Sequence, residues 1–467
     1  MPALLVSQSY NMFIFLPLLF YLSITNFSAM SQASRKRVLI VTYYWPPSGG
    51  VAVLRWLKFV KYLRDFGWEP IVYTPKNPET FYDDNSLLND IPTNIEVIKR
   101  PIWEPYSIYK WFTGQKGEKL GLGFASRSGK NGLISRFAIW LRGNLLIPDP
   151  RIFWVRPSDK FLCRYLRQHP VDAIVTTGPP HSMHLIGLKL KQKFNLPWLA
   201  DFRDPWTNID FYQELMLTKP ADWYHHKLEQ RVINTADAVL VVSQQMKREF
   251  ESLSGKNTFV ITNGYDIDDF PTGEELSDNY FSICYVGTMN SARNPIVLWQ
   301  ALAELCSMNH EFAQKLKIVM AGQIDISVTN AIKSFNLEMH YSYMGILPHS
   351  KALELQKNSK VLLLAVNNTP NAKGIVTGKL FEYLAVGKRI LAVGPKNGDL
   401  AEIIRETAAG DVIDYNDVDG AIHTLEHYFE LYKQGNIDPE PRGIEKYSRK
   451  TLTGRLAAIL DQISNGK

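Results

Sequence analysis

The sequence reads as an α/β protein of two Rossmann-like, doubly wound domains facing each other across a cleft. Short β-branched runs alternate with amphipathic helical segments, the alternation restarts near residue 280, and a loop-rich stretch, TNGYDIDDFPTG at 262–273, separates the two series.

The elements follow in order. Arg37–Thr42 (RVLIVT) has the composition of a buried parallel strand, YYWPPSGG ends it, and Leu54, Leu57, Val60 and Leu63 then recur at helical spacing. Strands are expected at 70–74, 171–177, 196–202, 236–243 and 259–263. The second series opens at 281–286, continues with a helix at 296–306, and adds strands at 316–322, 340–345, 360–366 and 389–394. Open α/β sheets bind ligands beyond the carboxyl ends of their strands, so the expected site lies between the domains.

At 467 residues and 45% hydrophobic content the chain exceeds one small domain; two cores of roughly 100–200 residues each fit it. The predicted division is an apolar segment at 1–35, a first domain at 36–265 with a basic, aromatic insertion at about 103–156, a second domain at 280–440, and a terminal helix at 441–467 packing back toward the first domain. Cys163, Cys284 and Cys306 are odd in number and widely spaced, which speaks against a disulfide framework or a zinc site and fits a reducing cytosol.

Met12–Ile24 is a nearly unbroken apolar run of 13 residues, short of the ~20 that span a bilayer. Met1–Asn11 has no Lys or Arg, so a cleaved signal is weakly supported. Two readings remain: translation starts at Met30, or the run is an anchor held on the cytoplasmic side by Arg35, Lys36 and Arg37. Residues 103–156 hold nine basic against three acidic residues and so account for the whole net charge of +6. The remainder is near neutral, and a nucleic-acid partner is not indicated. Trp103, Tyr106, Tyr109, Trp111, Phe112, Phe137, Trp140, Phe153 and Trp154 interleave with those charges. That pattern suits either a surface lying on anionic lipid or a solvated insertion.

Four constellations carry candidate chemistry. Gly49 and Gly50 sit between a strand and a helix N-terminus, a place suited to an anion and equally to a plain tight turn. In GPPHSMH (178–184), His181 and His184 stand at i and i+3, as acid/base or substrate groups or as structural histidines. Asp201, Arg203 and Asp204 of ADFRDPW crowd the end of an apolar strand and must pair with one another or face a polar ligand. In GIVTGKLFEYLAVGKRILAVG (374–394), Thr377, Gly378 and Lys379 enter a helix where amides and an ammonium can hold a diphosphate. Glu382, one turn on, can accept from vicinal hydroxyls, and Gly387 ends the helix. Gly287 allows close backbone approach in GTMNSARNP, where Arg293 can fork two phosphate oxygens.

With these pieces in order from about 37 to 394, the chain resembles a family 4 (group 1) GT-B glycosyltransferase. The resemblance rests on YYWPPSGGVAVLRWLKF, TTGPPHSMHLIG, LADFRDPW, ADAVLVVS, TNGYD, YVGTMNSARNP and GKLFEYLAVGKRIL. It implies transfer of a sugar from a nucleotide-diphosphate donor, with retention, without a metal and with no cofactor. It implies further that Arg293 and Thr377–Lys379 meet the diphosphate, Glu382 the ribose, and Met344–Leu347, with Gly345 and Ile346, the base. Gly50 and His181 match residues near the transferred sugar and acceptor, and His181, Arg293 and Lys379 become the catalytic candidates. One position departs from the family pattern: eight residues before Glu382, where many members carry a sugar-binding Glu, stands Gly374. Asp266-Ile-Asp268 and Asp417-Val-Asp419 read as turn and capping residues. The expected acceptor is lipid-linked or a growing cell-surface polysaccharide, in the cytoplasm or at the cytoplasmic face of the membrane. A catalytically silent GT-B binding protein and a GT-B sugar-nucleotide epimerase are the competing classes.

Overall fold

The computed structural model describes residues 35–80, 83–105, 132–209, 212–255, 258–270 and 279–466. The apolar segment 1–34, most of the basic insertion (106–131) and the end of the expected linker (271–278) lie outside the described residues.

The first domain runs β1 (Lys36–Val41), α1 (Val51–Leu63), β2 (Trp68–Pro75), β3 (Glu96–Arg100), α2 (Gly132–Leu145), α3 (Ile152–Gln168), β4 (Ala173–Gly178), α4 (Ser182–Phe194), β5 (Trp198–Phe202), α5 (Lys219–Thr235), β6 (Ala238–Val241), α6 (Gln244–Ser254) and β7 (Thr258–Val260). The second runs β8 (Phe281–Val286), α7 (Ile296–Met308), α8 (His310–Lys315), β9 (Leu316–Ala321), α9 (Ile326–Ser334), β10 (Tyr341–Tyr343), α10 (His349–Lys357), β11 (Val361–Ala365), α11 (Gly378–Val386), β12 (Arg389–Val393), α12 (Asp399–Thr407), β13 (Gly410–Ile413) and α13 (Val418–Lys433). A last helix, α14 (Arg449–Asn465), closes the chain.

Both sheets are parallel, in the orders β3-β2-β1-β4-β5-β6-β7 and β10-β9-β8-β11-β12-β13. Each is doubly wound, as the alternating pattern predicts. The strand order reverses at β1 in the first sheet and at β8 in the second, which places a ligand crevice at the ends of β1 and β4 and of β8 and β11. Sequence reading missed β3 and β13. Both are sheet edges; β3 (EVIKR) has no fully buried residue and β13 opens on Gly-Asp, so neither shows the apolar run of a central strand.

Helix α14 lies on the first domain, where Leu452, Leu456 and Leu460 join Val53, Trp56 and Val60 of α1 in one buried cluster. The chain therefore crosses between the domains twice, and the crossings are bonded together. Tyr265 N donates to Tyr447 O at 3.2 Å, and Arg449 N to Tyr265 O at 2.7 Å.

Helix α1 grips the first crossing with one face. Arg55 forks Asp201 through Nε and Nη2 at 3.2 and 3.0 Å and also donates to the carbonyls of Ile261 and Thr262, both at 2.9 Å. Asp201 accepts further bonds from Trp56 Nε1 (2.7 Å) and Thr177 Oγ1 (2.9 Å). One turn on, Lys58 meets Asp90, Asp266 and Asp269. These three carboxylates are close enough together to hold a cation, and the ammonium of Lys58 contacts all three. Asp266 caps the turn Ile267–Asp269 and Asp417 caps α13, so both Asp-x-Asp strings begin with capping residues.

Asp201 was expected at a ligand; it is instead fully buried and saturated by framework donors. Burial alone would raise its carboxyl pKa, but the charge of Arg55 and the bonds from Arg55 and Trp56 hold it below the usual range. Its contribution to stability is thus complete above the ordinary carboxylate value and is lost as pH falls through the lowered one. Asp201→Asn leaves the buried guanidinium uncompensated, and urea unfolding should show a loss of about 3–5 kcal/mol. A change below ~1 kcal/mol, the range of exposed pairs, would rule out this anchoring role.

Candidate functional site

The expected donor residues gather at the reversal point of the second sheet. Gly287 follows β8 at φ +124, and a Cβ there would fall 2.4 Å from Lys379 Nζ, so the glycine gives the lysine its path. Lys379 reaches across from the start of α11, donates to Tyr285 Oη at 2.8 Å and lies 4.3 Å from that ring's centroid. Arg293 arrives from the loop after β8, with Nε on Asn367 Oδ1 at 2.9 Å and Nη1 on Thr288 O at 3.1 Å. Both cations therefore meet at the Gly287–Thr288 turn. The fork expected of Arg293 is already engaged, and Nη2 is the end without a partner among the described residues.

Thr377 caps α11, its hydroxyl accepting from Lys379 N at 3.2 Å, so that amide is taken and Gly378 begins the helix behind it. Gly387 ends the helix in the left-handed region at φ +77. Glu382 faces His349, the first residue of α10, with Oε1 and Nε2 3.8 Å apart. The loop expected to meet a base stands beside them, with Gly345 at φ +69 and Ile346 largely exposed. Gly374 abuts the first domain: a Cβ there would lie 3.2 Å from Cβ and Cγ of Gln245 on α6. A glutamate at this position would have to enter that contact. Beside it, Gln245 N donates to Asp399 Oδ2 at 2.7 Å, a direct bond between the domains.

On the expected acceptor side, Gly49 is buried and Gly50 caps α1 at φ +101. His181 stands at the head of α4, nearly buried, stacked on Trp206 with centroids 4.8 Å apart and planes at 7°. Burial, then the neighbouring His184 and Arg203, press its pKa well below the ordinary histidine value, so it is neutral near pH 7. His184 is fully buried, bonds Thr176 Oγ1 at 2.9 Å, and has a pKa lowered to about 3 by burial. Arg203, too, is engaged by the framework. Its guanidinium is held by the carbonyls of Ala52 (2.9 Å), Gly178 (3.3 Å) and Pro179, bracing the Gly50 and His181 turns against each other. Asp204 is exposed. Sequence reading missed Tyr285, Asn367, His349 and Trp206. Tyr285 counted only as a strand residue, and the others lie in loops or helix starts without a periodic signal.

Residues 125–269 match the family model described as Glycosyltransferase Family 4, which is the family resemblance that the motifs carry. A comparison with curated proteins finds no match. Among solved structures, sucrose-phosphate synthase from Thermosynechococcus elongatus superposes with a TM-score of 0.58 at 14% identity, covering 93% of this chain and 100% of that one. The fold is that of the GT-B glycosyltransferases. Anabaena Alr3699/HepE, solved in complex with UDP-glucose, gives a TM-score of 0.52 at 13% identity and covers 92% of this chain and 98% of its own. WaaG, a glycosyltransferase involved in lipopolysaccharide biosynthesis, gives 0.53 at 13% identity, with 91% and 99% covered. In this GT-B fold the Lys379–Arg293 pair and His181 occupy the reversal points of the two facing sheets.

The Glu382 carboxylate, ahead of the opposing effect of burial, raises the pKa of His349, with smaller contributions from Asp269 and Asp84. The pair is complete below the ordinary imidazole value and dissolves as pH rises through the raised one. Glu382→Gln should return the His349 titration, followed by NMR, toward ~6.5. An unmoved titration would show that the two side chains do not pair in solution.

Proposed function

We propose that the chain transfers a sugar from a nucleoside-diphosphate donor, with Lys379 and Arg293 at the diphosphate, Glu382 at the ribose and residues 344–347 at the base. The reading is carried by the meeting of two cations at one glycine turn on the reversal point of the donor-side sheet. As the glycosidic bond breaks, negative charge grows on the leaving diphosphate, and preorganised cations stabilise that charge more than the ground state. Tyr285 and Asn367 hold the two cations in place, which lowers the reorganisation needed at that moment. Transfer is read as retaining and metal-independent, with the sugar end of the donor held by groups other than residue 374. His181, neutral near pH 7, is read as a hydrogen-bonding group for the acceptor.

Incubation with a panel of nucleotide sugars should release nucleoside diphosphate in the presence of acceptor and in excess chelator. Activity that vanishes with chelator and returns with a divalent ion would overturn the metal-independent reading. Lys379→Ala should lower kcat on the order of 10²–10³-fold in a folded protein, and Glu382→Ala should weaken donor binding about tenfold or more. Near-normal transfer by the lysine variant would remove it from the diphosphate.

The acceptor reading, a lipid-linked or cell-surface glycan met at the cytoplasmic face of the membrane, draws on the surface of the first domain. Phe137 and Trp140 of α2 stack on each other and are exposed, and Trp103 sits edge-on to exposed Phe153. Arg136, Arg142 and Arg156 belong to the same stretch. Among the described residues no helix is long and apolar enough to cross a membrane, and these exposed aromatics and arginines suit contact with a bilayer surface. Vesicles containing anionic lipid should retain the protein at low salt and release it at high salt; absence of binding at low salt would favour a soluble acceptor.

A further inference from the structure

Behind His181 lies a buried polar chain that the donor chemistry does not use. Helix α2 ends tightly against the segment Leu215–Thr218. A Cβ on Gly143 would lie 2.8 Å from Leu215 O, and Asn144 Oδ1 accepts from Thr218 N and Oγ1 at 2.7 and 2.8 Å. At this junction the carbonyl of Gly143 lies 3.2 Å from His225 Nε2, and Trp206 Nε1 lies 3.1 Å from His225 Nδ1. An indole N–H can only donate, so Nδ1 must carry the lone pair and Nε2 the proton, which then points at Gly143 O. His225 is thereby fixed in one neutral tautomer, which its burial also favours. The backbone of the same tryptophan is held by Glu229, whose Oε1 accepts from Trp206 N at 3.3 Å. The face of Trp206 is the surface on which His181 stacks.

We propose that His225 is a positioning residue for His181: it fixes the Trp206 ring that sets the plane of the site histidine, and it ties that ring to the end of the helix bearing Phe137 and Trp140. A second connection runs parallel to it, since Asp149, just beyond α2, accepts from Ser182 N and Oγ at 2.8 and 2.9 Å and so holds the head of α4. His181 is therefore located from two sides by the chain that follows the exposed aromatic helix. The functional weight of this arrangement rests on the acceptor-side reading of His181; the geometry itself does not.

The test is NMR of protein labelled with carbon-13 at the histidine Cε1 positions, the His181 resonance being assigned by its loss in His181→Gln. In the wild type it is expected upfield, within the ring current of Trp206. His225→Leu, which accepts nothing from the indole, should move it toward the value of an unstacked histidine. His225→Asn, whose Oδ1 stands where Nδ1 stood, should restore it. Should the leucine variant fail to fold, His225→Gln, which keeps the donor to Gly143 but not the acceptor for Trp206, takes its place with the same expected shift. A His181 signal unmoved in the non-accepting variant, or moved equally in the asparagine variant, overturns the proposal. Turnover of His181→Ala and affinity for UDP test the functional reading separately, so the two can fail independently.

Discussion

The first domain is organised around an ion pair buried away from its surface. Arg55 and Asp201 are both inaccessible, and their fork joins the middle of α1 to the end of β5, while the spare donors of Arg55 take two carbonyls of the interdomain crossing. An uncompensated charge in that place is costly, so α1, the ends of β4 and β5, and residues 261–262 are fixed relative to one another. The proposed acceptor side inherits this arrangement. Gly50 begins the helix that carries Arg55, His181 follows the strand whose Thr177 bonds Asp201, and Arg203 spans the two turns.

The two halves of the proposed site use opposite electrostatic means. On the donor side, cations stand partly exposed at a glycine turn and are steadied by neutral partners, Tyr285 and Asn367, which leaves their charge available to an anion. On the acceptor side, burial strips His181 of its charge and neighbouring rings determine its orientation. A group that stays neutral and is held in one plane suits directional hydrogen bonding better than attraction of charge.

Much of this was legible in the sequence where local pattern and tertiary role coincide. Central strands such as RVLIVT and KVLLLAV declare themselves because both faces are covered, and GTMNSARNP and TGKLFE could be assigned to strand–loop–helix junctions from their glycines and spacing. Of the four edge strands, β7 and β10 were expected, whereas β3 and β13 were missed because neither carries the apolar run of a central strand. The partners of Asp201 and Arg203 were not legible for another reason. A charged cluster at a strand end has the same local sequence whether its partner is a ligand or an arginine from a distant helix, and Arg55 lies 146 residues away from Asp201. His349 and Trp206 were overlooked for the same cause, because their roles exist only once separate loops meet.

The course of the final helix has a consequence for biosynthesis. Leu452, Leu456 and Leu460 fill part of the first domain's core, yet they are translated after every strand of the second domain has been made. Until α14 is made, the apolar face of α1 lacks the residues that cover it in the finished fold, although domains usually fold as units in the order in which they emerge. The first domain to appear is therefore the last to be completed. A chain that ended before Arg449 would retain the donor-side residues and expose the apolar face of α1 that Leu452, Leu456 and Leu460 cover.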